Sequence, residues 1–155
     1  MCPGSSFDIM KILILNGPNL NFQGRRERSV YGSATFGEYL PELQRRYPEL
    51  QIEMMQSNIE GELIDALHRA ENLYDGVAFN AGGYTHTSVA LRDAVSAIGI
   101  PVVEVHISSP EAREEFRHRS LLAGVVRGSI AGFGLDSYRL AVEALTEIIK
   151  STPIC

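Results

Sequence analysis

The chain is poor in the residues from which many sites are built. Its two cysteines, Cys2 and Cys155, lie at opposite ends of 155 residues. Two lone thiols form no disulfide framework and point to a reducing, cytoplasmic setting. Lysine occurs only at Lys11 and Lys150. No apolar run approaches the ~20 residues of a membrane span, so no membrane partner is expected. With 19 acidic against 14 basic residues, the formal charge is -5. That sign argues against a general nucleic-acid binder, which neutralises phosphates with surplus cations. A few local arginines can still hold a small anion. The phosphate-binding patterns G-x-x-x-x-G-K-[ST] and G-x-G-x-x-G are missing, which excludes nucleotide enzymes of those classes. H-E-x-x-H, C-x-x-C and G-x-S-x-G are missing too, so metal and serine-hydrolase chemistry have no support. Residues 1–10 carry neither the basic nor the apolar stretch of a secretory signal and read as a flexible tail, or an alternative start upstream of Met10.

What is present is ordinary in bulk, 45% hydrophobic and 21% charged, as expected of one globular domain over 11–150 with a short tail at 151–155. Apolar runs alternate with helix-period segments. Lys11–Leu15, Gln51–Met55, Gly76–Phe79, Pro101–Val105 and Val125–Ile130 read as strands. Their continuous rather than alternating apolarity is that of parallel strands covered on both faces. Between them, Thr35 and Glu38 form a capping box ahead of Leu40, Leu43 and Tyr47. Pro41 sits badly in that helix and predicts a later start. Asn58 reads as the cap of a helix bearing Leu63, Ile64, Leu67 and Ala70. A helix after Thr85 carries Leu91, Val95 and Ile98 and stops at Gly99, in the position where a glycine commonly closes a helix. Ser109-Pro110 reads as the cap and first residue of a short charged helix, and Asp136–Lys150 as the last helix. The alternation predicts a three-layer α/β fold with a five-stranded parallel sheet in the flavodoxin-like order 2-1-3-4-5. Ligands in such folds bind beyond the carboxyl ends of the strands, near the switch between the first and third. Asn16, Asn19, Asn80 and His106 all follow strands at that place.

Two clusters stand out, Asn80 to Thr87 and Glu104 to Ser109. Each begins where a strand ends and crowds amide, imidazole, carboxylate and hydroxyl groups into a turn. Asn16-Gly-Pro-Asn19-Leu-Asn21 reads first as a turn, with asparagines that can also serve a polar ligand. The segment 22–33, with Arg25, Arg26, Arg28 and Tyr31, reads either as a solvated loop or as a lid setting an arginine over a tyrosine. A cation so placed favours tyrosinate, a base at neutral pH. Glu104 and His106 share one strand face, and a carboxylate there orients an imidazole for proton donation. His106 with Ser108 at a helix start suits a carboxylate ligand. Arg113 and Arg117, four apart, share a helical face. His68 and His118 read as surface residues. At this level a catalytic site and a metabolite-binding module without turnover both remain open.

In order, Leu15-Asn-Gly-Pro-Asn-Leu-Asn21, Arg26-Glu27 with Tyr31-Gly32, Gln56-Ser-Asn58 with Glu60-Gly-Glu-Leu63, Phe79-Asn-Ala-Gly-Gly-Tyr-Thr-His-Thr-Ser88, Val103-Glu-Val-His-Ile-Ser108 and Arg113-Glu-Glu-Phe-Arg117 resemble the type II 3-dehydroquinate dehydratases. The set spans nearly all of residues 11–149. The resemblance implies a flavodoxin-like enzyme of the shikimate pathway, without cofactor or metal. It would convert 3-dehydroquinate to 3-dehydroshikimate as a homo-oligomer, typically a dodecamer built of trimers. It also implies roles. Tyr31 would be the base, Arg26 its activator and the enolate's counter-charge, His106 the acid oriented by Glu104, and Asn19 a holder of water. Asn80, His86 and Arg117 would bind substrate hydroxyls, and Ile107 and Ser108 the carboxylate. Arg113 would move with the lid, and Asp93 would reach a neighbouring subunit's site. The other known route to this reaction uses a lysine Schiff base. Lys11 lies at the wrong end of its strand and Lys150 ends the last helix, so neither serves. The chain departs from the family in Arg28, where proline is common, in Ser109, where asparagine is common, and in Ile59, where histidine is frequent.

Overall fold

A computed structural model describes residues 8–22 and 35–152 of the chain. Five strands, β1 (Met10–Asn16), β2 (Leu50–Gln56), β3 (Gly76–Asn80), β4 (Val102–His106) and β5 (Gly128–Ala131), form one sheet in the order β2-β1-β3-β4-β5. Every pairing is parallel. Helices α1 (Phe36–Arg46), α2 (Glu60–Leu73), α3 (Val89–Ala97) and α4 (Asp136–Ser151) cover it. Short 3-10 turns occupy Leu20–Phe22, Gly82–His86, Pro110–Ala112 and Glu115–His118.

The two-residue period of a strand divides the core. On β1, Ile12 and Ile14 pack with Leu43 of α1 and Tyr138, Ala141 and Leu145 of α4. Leu13 and Leu15 pack on the other face with Leu63 and Leu67 of α2 and Leu91 and Val95 of α3. Each fully buried leucine contributes roughly 2 kcal/mol from the water it leaves. Burial on both faces is why β1 and β3 read as unbroken apolar runs.

The capping box forms as expected. Thr35 Oγ1 accepts from the Glu38 N–H, and Glu38 Oε2 accepts from the Thr35 N–H, each at 3.3 Å. The helix therefore starts at Phe36, not later, and Pro41 lies inside it. Pro41 is on the exposed face, and the carbonyl it deprives of a partner is that of exposed Gly37, which water can satisfy. Asn58 is not the cap of α2. Its Oδ1 accepts from the Asn19 N–H at 2.9 Å and from Gln56 Nε2 at 3.1 Å. Ser57 Oγ serves the helix start instead, accepting from the Ile59 N–H at 3.0 Å. Ile59 stands at the cap position and contributes no side-chain bond.

Gly99 follows the last turn of α3 without a left-handed backbone; its N–H donates to Glu71 Oε1 at 2.8 Å. β5 starts at Gly128 rather than Val125, because the N–H groups of Val125 and Val126 turn back to the Leu122 carbonyl. Arg113 and Arg117 do not share one helix. Two 3-10 turns replace it, with Arg113 in extended backbone between them. Ser109 precedes the first of these turns without a capping bond from its side chain.

Candidate active site

Where β1, β3 and β4 run out, their carboxyl ends open into a cavity of about 160 Å³. Among the described residues it is lined by Asn19, Asn80, His86, His106, Ile107, Ser108, Arg113 and Arg117, with Pro18, Leu20, Gly82, Gly83 and Pro110. The first eight are residues expected from the sequence. Glu104 stands directly behind His106. Asp93 does not line the cavity; it lies exposed on α3, 3.4 Å from Arg92. Tyr31 and Arg26, and with them Arg25 and Arg28, lie outside the described residues. Lys11 and Lys150 are exposed and neither reaches the cavity. His68 and His118 are exposed, as expected.

The three asparagines at and after the end of β1 divide their work. Asn16 is buried, and its Oδ1 accepts from the Tyr138 hydroxyl at 2.7 Å. Asn19 holds a left-handed backbone, φ 68°, which asparagine tolerates better than most residues. That conformation turns it into the cavity wall. Asn21 is exposed. Between them, Gly17 passes so close to β3 that its N–H donates to the Asn80 carbonyl at 2.7 Å. A Cβ there would sit 2.5 Å from the Ala81 carbonyl oxygen.

Asn80 is 3% exposed and its amide is oriented from both ends. Nδ2 donates to the Tyr138 hydroxyl at 2.9 Å, and Oδ1 accepts from the Gly82 N–H at 3.1 Å. Tyr138, fully buried on α4, thus bridges the ends of β1 and β3. Sequence reasoning missed it, since an aromatic on an apolar helix face reads only as core.

The proton-handling pair lies on β4. His106 Nε2 is 3.3 Å from Glu104 Oε1. The carboxylate also accepts from Ser120 Oγ, at 2.6 Å to Oε1 and 3.0 Å to Oε2, from Ser129 Oγ at 3.1 Å and from Thr85 Oγ1 at 3.3 Å. Burial alone would push this carboxyl up. The imidazole and the serine hydroxyls outweigh burial and hold it below the usual carboxylate range. An ionised carboxylate only accepts, so Nε2 of His106 carries a proton and Nδ1 is left for a ligand. Ser129 was findable, because strand register sets it beside Glu104. Thr85 lies inside the Asn80 to Thr87 cluster without a role assigned from the sequence, and nothing in the sequence marked Ser120.

His86 comes from the 3-10 turn after β3, its ring stacked near His106 with centroids 6.5 Å apart. Its Nδ1 lies 2.7 Å from the Arg119 carbonyl, which can only accept. Nδ1 therefore holds the proton and Nε2 faces any ligand as the remaining polar atom. Arg117 is anchored through Nε to Glu114 at 2.6 Å, with Arg113 4.0 Å from the same carboxylate. The arrangement offers two imidazoles, two guanidinium groups, a hydroxyl and amides to a small polyhydroxy acid. Among the described residues no group of three or more His, Cys, Asp or Glu is placed to hold a metal, and no helix is long and apolar enough to cross a membrane.

Comparison with known proteins agrees with that chemistry. A family model described as dehydroquinase class II matches residues 10–146. A protein of Exiguobacterium sp. named 3-dehydroquinate dehydratase is 60% identical over 139 residues, covering 89% of this chain and 95% of its own. One of the same name from Bacillus licheniformis is 56% identical over 133 residues, covering 84% and 92%. The crystal structure of a type II dehydroquinase from Butyrivibrio crossotus superposes with a TM-score of 0.83 at 45% identity, covering 88% of this chain and 97% of that one.

Proposed function

Because the chain belongs to the class II dehydroquinase family, and is by that membership a 3-dehydroquinate dehydratase, a hydro-lyase, we propose that it removes water from 3-dehydroquinate through an enolate. Tyr31, as tyrosinate, takes the proton from the carbon next to the ketone. The electron pair moves onto the ketone oxygen, and Arg26 stabilises both the tyrosinate and the enolate. Collapse of the enolate expels the β-hydroxyl, which leaves as water on taking a proton from His106. The products are 3-dehydroshikimate and one water; Tyr31 then gives its proton to solvent and His106 takes one back, which restores both groups for the next turnover.

The observation that carries the reading is the buried Glu104 carboxylate 3.3 Å from Nε2 of His106, a residue that lines a polar cavity. An imidazolium backed by a carboxylate is a suitable acid for a departing hydroxyl. Its other nitrogen is the one left for a ligand. Elimination β to a ketone needs in addition a base and a stabilised enolate, and the resemblance assigns these to Tyr31 and Arg26. Asn19 holds water near the enolate. Asn80, His86 and Arg117 hold the ring hydroxyls, and Ile107 and Ser108 hold the carboxylate. Arg113 binds the substrate alongside Arg117, and Asp93 completes a neighbouring subunit's site in a dodecamer built of trimers. The step belongs to aromatic amino acid biosynthesis in the cytoplasm.

The test is turnover of 3-dehydroquinate, followed by ultraviolet absorbance of the conjugated enone carboxylate, with and without prior borohydride and EDTA. Product that forms unaffected by either reagent is the expected result. Tyr31→Phe should lower kcat by about 10³-fold while a competitive ligand keeps its affinity. Wild-type turnover in Tyr31→Phe would remove Tyr31 as the base.

A further inference from the structure

We propose that Ser120 is a positioning residue for the proton-donating pair, fixing the Glu104 carboxylate in the orientation that serves His106. The inference rests on the reading of His106 as the acid. Glu104 is 2% exposed, and the elements packed against it present hydroxyls: Thr85 from the turn after β3, Ser129 from β5 and Ser120 from the loop that leads from the Glu115–His118 turn into β5. Phe79, its register partner on β3, is apolar. The titratable groups nearby are His106 at 3.3 Å and, beyond it, His86, with Arg113 and Arg117 lining the same cavity.

Among the three hydroxyls, Ser120 alone is locked from behind. Its oxygen accepts from the N–H groups of Leu122 and Ala123, each at 3.1 Å. A hydroxyl has two lone pairs and one proton. With both lone pairs occupied by backbone, the proton can be directed only at Glu104. Among the described residues no backbone N–H donates to Thr85 Oγ1 or Ser129 Oγ, so those hydroxyls can rotate. Ser120 also reaches both carboxylate oxygens, and the closer one, Oε1, is the oxygen facing His106. It therefore sets the rotation of the carboxylate about its last torsion. The same stretch of chain fixes the second imidazole, since the Arg119 carbonyl accepts from His86 and the Leu121 N–H donates to the Thr85 carbonyl at 2.8 Å. One loop thus holds both imidazoles of the cavity, His86 directly and His106 through Glu104.

The experiment measures kcat, KM and the pH profile of kcat for the intact enzyme and for Ser120→Ala, Ser120→Thr, Glu104→Gln and the Ser120→Ala/Glu104→Gln double variant, with a melting curve for each. Ser120→Ala is expected to lower kcat about tenfold with KM within about twofold of wild type. The acidic limb of its profile should move up by about one pH unit, because the carboxylate has lost a donor. Ser120→Thr keeps the hydroxyl and should leave the limb in place. In the Glu104→Gln background the serine substitution should cost less than about twofold, since coupled residues are not additive. A full tenfold loss in that background would overturn the proposal. A lower melting temperature with an unmoved limb would overturn it as well, since that is a loop-stability effect alone. If Glu104→Gln lowers kcat and Ser120→Ala does not, only the Ser120 inference fails. If Glu104→Gln leaves kcat and profile unchanged, the acid reading fails and takes Ser120 with it.

Discussion

Glu104→Gln is the substitution whose effect can be worked most completely from the structure. Glutamine has nearly the same shape, so the change removes charge with little change in volume. Two unit charges 3.3 Å apart interact by about 5 kcal/mol at an effective dielectric of 20, which bounds the effect from above. The net value of a hydrogen bond to a charged group is lower, about 1.5–3 kcal/mol. Taking about 3 kcal/mol, kcat should fall by about 10²-fold. KM should change little, because Glu104 stands behind His106 and does not line the cavity. The fold should tolerate the amide. Ser120 must donate to whichever oxygen remains, and Ser129, free to rotate, can turn and accept from the new N–H groups. A pH signature accompanies the kinetic one. The folded carboxyl lies below its ordinary value of 4.5, so its ionisation stabilises the fold at any pH above that value. This contribution is lost as pH falls through the lower folded value. The melting temperature of wild type should therefore exceed that of Glu104→Gln at neutral pH, and the gap should close below about pH 4.5. The assays are enone absorbance for kcat and KM and thermal melts at several pH values. A well-folded Glu104→Gln with kcat within about threefold of wild type would refute the reasoning from charge.

Tyr138→Phe removes the hydroxyl that joins Asn16 to Asn80 and should cost about 2 kcal/mol, or about 6 °C in melting temperature. KM should also rise as the Asn80 amide loses its fixed orientation, and an unchanged KM together with an unchanged melt would refute the bridging role. Gly17→Ala sets a Cβ 2.5 Å from the Ala81 carbonyl oxygen, backbone that cannot yield without parting the exits of β1 and β3. Differential scanning calorimetry should show a loss of roughly 2 kcal/mol with lowered kcat/KM, and a wild-type melt would show that the approach is looser than 2.7 Å.

Sequence carries this fold where both faces of an element are buried, and loses it where the backbone bonds to itself. β1 and β3 were legible because every residue of the apolar run faces helices on one side or the other. The capping box at Thr35 was legible because both its bonds are local. Val125 and Val126 misread as strand because their side chains favour a sheet while their N–H groups return to Leu122. Asn58 misread as a helix cap because its true partners are Asn19, 39 residues away in the turn after β1, and Gln56 at the end of β2. In the site, residues that directly follow a strand were legible, and those that support them from other elements were not. Ser120 and Tyr138 are a common residue in a loop and an aromatic in a helix until the fold sets them against Glu104 and Asn80.

The two-residue alternation of the strands also explains why the supports differ in kind on the two faces of the sheet. Asn16 and Asn80 continue the face of Ile14 and Ala78, which α4 covers, and their support is the phenol of a fully buried tyrosine. That is a neutral group bonding neutral amides, at no cost for a buried charge. Glu104 continues the opposite face, that of Val102, which α2 and α3 cover over most of its extent, but at Glu104 itself the chain packed against the strand is the loop bearing Ser120. A buried carboxylate requires several donors to remain ionised, and loop residues supply them at angles a regular helix face does not offer. The Asn80 amide on one face and the Glu104–His106 pair on the other then meet at the strand ends, where both His106 and Asn80 line the cavity. The mechanism proposed above, which binds neutral hydroxyls and also delivers a proton, calls for both kinds of support within one small cavity.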